Sequence, residues 1–307
     1  MMFQCVRQGV LLMAALLLAG CDRSGLETVV VYTSQDQHFA EPIFRQFQAR
    51  TGIKVRALYD SEAVKTVGLA NRLIAEKANP QCDLWWSNEA LRTRQLAKLN
   101  ILDSNAIADF GFRSRRLVIN TNRLSPAAAP QSLLELTNAT WKRRIALAYP
   151  MFGTTSAHFL ALRRHWGQER WEQWCRALAA NEPFLVDGNS VVVRFVARGE
   201  AVVGLTDFDD IVAGRREKLP VMALPLTVES LLIPNSVGLL RGSPHPVAAR
   251  RLFDYLQSNA VVEQLIAAAA LEGNIPPLSK PRLAADWDAI AGDLQPATDT
   301  MRGIFLR

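Results

Sequence analysis

The chain is poor in cysteine: 307 residues carry four. Cys5 and Cys21 lie near the start, which leaves Cys82 and Cys175 for the body. Two thiols make no disulfide framework, and with no CxxC pair there is neither a thioredoxin-like motif nor half a zinc site. An oxidising compartment would permit a bond between them, but we expect two separate buried thiols. No apolar run reaches the roughly 20 residues that cross a bilayer. Catalytic signatures are missing too: there is no GxSxG elbow, no HExxH and no Walker loop, and Ser34, His158 and Asp187 have no triad spacing. We therefore expect no enzymatic activity and no resident cofactor. Charge of one sign is also scarce. Lys and Arg number 35 against 29 Asp and Glu, a formal +6. The basic residues stand singly or in short groups such as Arg113–Arg116 and Arg215–Arg216. No basic stripe is interleaved with aromatics, which argues against nucleic acid as a partner.

What is present begins at the N-terminus. Arg7 precedes the apolar run Val10–Ala19, and Leu18-Ala19-Gly20-Cys21 then meets Asp22. The run is too short for a stable anchor and reads as an export signal cut before Cys21. A small-residue site ending in cysteine resembles the lipobox of bacterial lipoproteins. That resemblance implies a lipid on Cys21 and a body tethered on the periplasmic side of the inner membrane. Two or more acyl chains would make such a tether stable.

The body alternates strand and helix patterns. Thr28–Thr33, Ile53–Leu58 and Asp83–Trp86 read as strands. Phe39–Arg50, Glu62–Glu76 and Asn88–Lys98 carry apolar residues at helical spacing. This order predicts an α/β lobe on a mostly parallel sheet. A second series begins after Phe110. Leu117–Asn120, Ile145–Tyr149, Val202–Leu205 and Val221–Leu224 read as strands, with a helix from about Ser156 to Trp166. Leu231–Pro234 reads as a segment crossing back. The expected architecture is α/β and two-lobed, with crossover hinge strands. Residues 1–20 would be signal and 21–26 the lipidated tether. Residues 27–112 with 234–270 would form lobe 1, and 113–233 with 271–307 lobe 2.

Open α/β sheets bind ligands at strand ends. Ser34, Gln35, Ser61, Ser87 and Asn88 fall there in lobe 1. In lobe 2, Gly153, Thr154, Thr155 and Ser156 open a helix whose free N–H groups could meet an anion. Thr206, Asp207 and Asp210 follow another strand. Their carboxylates could cap a helix, accept an ammonium or, with Asp209, Glu62 and Glu89, ligate a hard cation. No calcium-loop spacing is present. Trp85 and Trp86 could line a ligand cavity, with at least one expected in the core.

Val30–Gln35 with Phe39–Pro42, Thr51–Val55, Asp83–Glu89 and Gly204–Asp207 together resemble bacterial extracellular solute-binding proteins. That family serves ABC importers of ferric iron and, in related branches, of phosphonates or other phosphorylated solutes. The resemblance implies two lobes that close on a solute and then dock to a permease with a separate ATPase. Ferric binders of this kind use adjacent tyrosines, where this chain has Asp209 and Asp210. Their first-loop histidine is matched by Asp36, and a glutamate falls nearest Asn88, one position from Glu89. These departures favour a small anionic solute as the expected cargo. A ferric ion or other hard cation is the alternative, and a sensor feeding a membrane signalling protein is a third reading.

Overall fold

The computed structural model describes residues 27–60, 66–274 and 282–306. Cys21, Ser61 and Glu62, named above as candidates, lie outside the described residues. Among the described residues no helix is long and apolar enough to cross a membrane.

The first lobe starts with β1 (Thr28–Thr33), whose β-branched run suits a strand, and α1 (Gln37–Thr51), which buries Ala40, Ile43, Phe44 and Phe47 at helical spacing. Gly52, at φ 72°, ends that helix in the left-handed conformation that glycine adopts without penalty. Then come β2 (Lys54–Tyr59), α2 (Val67–Ala75), β3 (Leu84–Ser87) and α3 (Leu91–Lys98). Strands β1, β2 and β3 pair in parallel, as the alternation predicts. Trp85 and Trp86 on β3 are both fully buried, so neither lines a ligand cavity.

The longest strand, β4 (Leu102–Asn120), was legible only at its end. Polar residues along it, from Asp103 to Asn105 and again from Arg113 to Arg116, break the apolar alternation that marks a strand. The second lobe continues with β5 (Ile145–Ala148), α4 (Gly153–Trp166), α5 (Gln168–Ala180), β6 (Phe184–Val186), α6 (Asn189–Arg198), β7 (Val203–Asp207), α7 (Phe208–Arg216) and β8 (Val221–Ala223). Helix α4 starts three residues earlier than expected, at Gly153. The chain returns along β9 (Leu232–Leu240) to α8 (Pro246–Leu256) and α9 (Asn259–Ala268). It ends in α10 (Trp287–Gly292) and α11 (Leu294–Phe305).

The strand order is β2-β1-β3-β9-β4-β7-β5-β6, with β8 also on β4. Strand β4 pairs with β9 from Leu102 opposite Leu240 to Ser114 opposite Leu232, then with β7 from Arg115 opposite Asp207. One strand thus belongs to both halves of the sheet. Its register slips between Phe110 and Arg113, where Gly111 adopts φ 60°. Apolar packing falls into separate bodies on either side of this crossing. One gathers Val31, Phe44, Phe47, Leu84, Trp86 and Leu252; the other gathers Leu147, Phe159, Leu160, Trp171, Trp174 and Met301. Cys82 and Cys175 are free and buried, as expected.

Candidate functional site

A strand sends alternate side chains to opposite faces. Past its register slip, β4 therefore turns Arg113 and Arg115 to one face and Arg116 to the other. Arg116 pairs with Glu272 and lies over the Phe208 ring at 4.5 Å. Arg113 and Arg115 converge on Asp207, the last residue of β7. Arg115 Nη1 lies 2.7 Å from Asp207 Oδ1, and Arg113 Nη2 lies 3.2 Å from Oδ2. Thr154 Oγ1 donates to Oδ2 at 2.8 Å, and Asn189 Nδ2 donates to it at 3.3 Å. Asp207 occupies the N-cap position of α7, but its carboxylate accepts nothing from that helix. The expectation that it caps α7 is corrected: the two arginines offer charge-assisted bonds that a backbone N–H cannot match.

All three charges are buried. Burial works against the Asp207 carboxylate, yet Arg115 and Arg113, with Thr154, hold its pKa below the ordinary value. Burial likewise opposes Arg113, but Asp209, Asp207 and Asp36 outweigh it and raise its pKa. Asp209, in the first turn of α7, lies 3.5 Å from Arg113 Nε. Asp207, Asp209 and Asp210 each offer an oxygen, and these oxygens lie within 4.8 Å of one another.

Arg113 also reaches the other lobe, where Nη1 donates to the Asn88 carbonyl at 2.7 Å. Around it lies a narrow cleft of about 40 Å³, faced by Asp36 and Asn88 from lobe 1 and by Tyr149, Gly153, Thr154, Thr155, Asp187, Asn189, Asp207, Asp209 and Asp210 from lobe 2. Five aspartates against Arg113 give the lining a negative balance.

The structure thus brings Asn88, Gly153, Thr154, Thr155, Asp207, Asp209 and Asp210 together. It places the other predicted residues one step back. Ser34 Oγ donates to Asn88 Oδ1, accepts from the Asn88 backbone N–H and lies 3.2 Å from Ser87 Oγ. Ser34 and Ser87 therefore position Asn88 and do not line the cleft. Gln35 is buried, its backbone N–H held by Thr33 Oγ1. Thr206 Oγ1 donates to the Asn189 carbonyl, which orients α6. Ser156 is turned into the interior with its helix. Glu89 does not substitute as a cleft ligand, because its carboxylate accepts the Leu91 and Arg92 N–H groups that open α3. His158 bonds the Glu229 carbonyl and lies outside the cleft lining.

Thr154, the most exposed of the three hydroxyl residues at the expected anion site, is already committed. Its hydroxyl accepts from Arg115 at 2.8 Å and from Asn189 at 2.9 Å while donating to Asp207. A hydroxyl has one proton and two lone pairs, so none remains for a solute. Arg113, Arg115 and Asn189 were missed as site residues. The signal available was the alternation of Arg113 and Arg115 within a strand, which reads as a solvated basic group unless β4 is recognised.

A family model described as bacterial extracellular solute-binding protein matches residues 28–268. The major ferric iron-binding protein of Neisseria meningitidis serogroup A is 26% identical over 210 residues, 62% of this chain and 60% of that protein. The Fe(3+)-binding periplasmic protein of Serratia marcescens is 29% identical over 196 residues, 58% of this chain and 56% of that protein. The chain thus spans about 60% of the length of these curated relatives. Among solved structures, iron-bound HitA from Pseudomonas aeruginosa superposes with a TM-score of 0.76 at 20% identity, covering 91% of this chain and 99% of that one. AfuA from Actinobacillus pleuropneumoniae, with fructose-6-phosphate bound, gives 0.79 at 17% identity with the same coverage. At these identities the structural likeness establishes the two-lobed fold.

Proposed function

The chain belongs to the bacterial extracellular solute-binding protein family, and from that premise we propose that it is a receptor for a hard cation, ferric iron foremost. In this reading the cation is cargo, held between the lobes and handed to an ABC permease driven by a separate ATPase. The body sits in the periplasm, tethered through lipid on Cys21. Its lobes are residues 27–112 with 234–270, and 113–233 with 271–307.

One observation carries the choice of cargo. The cleft lining sets five aspartates against Arg113, and three of those carboxylates converge within 4.8 Å. Carboxylate oxygens suit hard cations, whereas an anion entering this lining would face repulsion. The phosphonate expectation loses one of its hydroxyl donors, because Thr154 is spent on Asp207. The sequence relatives named for ferric iron favour the same side. Asp209 and Asp210 stand where those binders were expected to carry tyrosines, so ligation here would be by carboxylates, with Asp36 closing from lobe 1.

Capture follows from the hinge. A cation that binds carboxylates of lobe 2 and Asp36 of lobe 1 at once has higher affinity for the closed form, and only that difference shifts the population. Chelator-washed protein titrated with ferric nitrilotriacetate and followed by native mass spectrometry tests the reading. One ferric ion per chain is expected, with loss of binding in the double variant Asp209→Asn, Asp210→Asn. No bound metal beside tight binding of 2-aminoethylphosphonate would overturn it.

A further inference from the structure

A second cavity, about 580 Å³, lies in lobe 2 on the far side of the Arg115–Asp207 pair. Leu117, Pro130, Leu205, Met222, Leu224 and Leu226 are among its apolar lining residues. It falls in the range of small-molecule sites, about 300–1,000 Å³. The cleft, at about 40 Å³, does not.

The polar groups on this cavity define what it can take. Arg115 is held by Asp207, and Arg116 by Glu272. Glu229 accepts the Leu133 N–H, and Ser230 Oγ accepts the Thr227 N–H. Each arginine is thus paired with a carboxylate, Arg115 Nε alone remaining a buried donor without a partner, and burial raises the Glu229 pKa. His158 is different. Its Nε2 lies 2.7 Å from the Glu229 carbonyl oxygen. A carbonyl only accepts, so Nε2 carries the proton and Nδ1 is left as an acceptor. That Nδ1 is buried and has no partner. A buried acceptor without a donor carries a desolvation cost, which a bound donor would offset.

We propose that this cavity is a second ligand site, separate from the cation cleft, for a neutral, mainly apolar small molecule bearing one N–H or O–H donor that bonds His158 Nδ1. The apolar walls supply affinity, and the His158 acceptor supplies orientation. The site shares α4 with the cleft, since Gly153–Thr155 face the cleft and His158 follows one turn later.

N-phenyl-1-naphthylamine has this chemistry: two apolar ring systems, no charge and one N–H. Its fluorescence should rise saturably on the full chain with one site per protein and a Kd on the order of 10–100 μM. The N-methylated probe, lacking the donor, should bind at least tenfold more weakly. Ala223→Phe, which fills the cavity from β8, should weaken binding at least tenfold, and Thr227→Trp at the loop serves if Ala223→Phe does not fold. Asp209→Asn, in the cleft, should leave probe binding unchanged while it impairs ferric binding. Absence of saturable binding, equal affinity for the methylated probe, or indifference to both filling variants would overturn the proposal. None of these outcomes bears on the cation reading.

Discussion

Arg113 and Asp207 come from different strands and meet fully buried, 3.2 Å apart, while the same guanidinium donates to the Asn88 carbonyl of the opposite lobe at 2.7 Å. One side chain on the crossing strand therefore joins both lobes to the carboxylate cluster. Arg113 supplies the positive charge that a cargo cation would supply. Arg113→Gln removes that competitor. At an effective dielectric near 20, unit charges about 4 Å apart interact by roughly 4 kcal/mol. The variant should therefore raise ferric affinity at least tenfold in isothermal titration. An anionic solute would instead lose affinity, so the sign of the change separates the two cargo classes.

Asp207 carries the opposite prediction. It pairs with both Arg113 and Arg115, and removing one partner of a buried ion pair costs about 3–5 kcal/mol because the remaining charge is left uncompensated. Asp207→Asn should lower stability by about that amount in urea denaturation. Asp210→Asn, on a half-buried residue of the same helix turn, should cost far less. Equal losses for the two would mean that the Arg115–Asp207 pair is not what holds this part of lobe 2 together.

Gly111 sits at the register slip of β4 with φ 60°, and a Cβ there would meet Leu271 Cδ1 at 2.4 Å and the Gly273 carbonyl oxygen at 3.3 Å. Gly52 has a similar φ of 72° with nothing within 4 Å. Both alanine variants incur the left-handed strain of about 1–2 kcal/mol. Only Gly111→Ala adds overpacking, which costs about 1–3 kcal/mol more. The difference between their denaturation free energies measures how tightly Leu271–Gly273, bridged to Phe112 of β4, is packed on that strand. No difference would mean that this segment gives way freely.

Much of the fold was readable because β1, β3, β5 and β7 are short and largely apolar, β1 with a β-branched run, and their helices keep one buried face. The carboxylates of α7 and the Gly153 turn were readable for the same reason: they follow strands. The arginines were not. Arg113 and Arg115 look like solvated charges in sequence, and only the pairing of β4 with β7 aims both at Asp207. Ser34, Ser87 and Thr206 were placed at the correct strand ends, but which hydroxyl faces solute and which braces a neighbour depends on side-chain contacts that spacing does not encode. Thr154 was misjudged on the same account, since nothing local to Gly153–Ser156 reveals the carboxylate that takes its proton.

Two buried groups outside the cleft give stability an opposed dependence on pH. Burial pushes the Glu89 pKa up to about 7, against the pull of Arg92 and the N–H groups of α3. Its unfolded value is near 4.5, so between these values the folded protein binds more protons, and stability falls as pH rises. Burial, helped by Arg115, lowers the His158 pKa to about 3 from 6.5. There the unfolded chain binds more protons between the two values, so stability is lost as pH falls. Each group contributes a limiting slope of about 1.4 kcal/mol per pH unit, of opposite sign where the windows overlap. The two nearly cancel between pH 4.5 and 6.5. Glu89→Gln keeps an oxygen for the α3 N–H groups and removes the falling contribution, so stability should then rise steeply with pH across that window. His158→Gln should leave the Glu89 contribution alone, and stability should fall from pH 4.5 to 7. Urea denaturation at half-unit pH steps reads both slopes, and a profile unchanged by either substitution would mean that neither group titrates on unfolding.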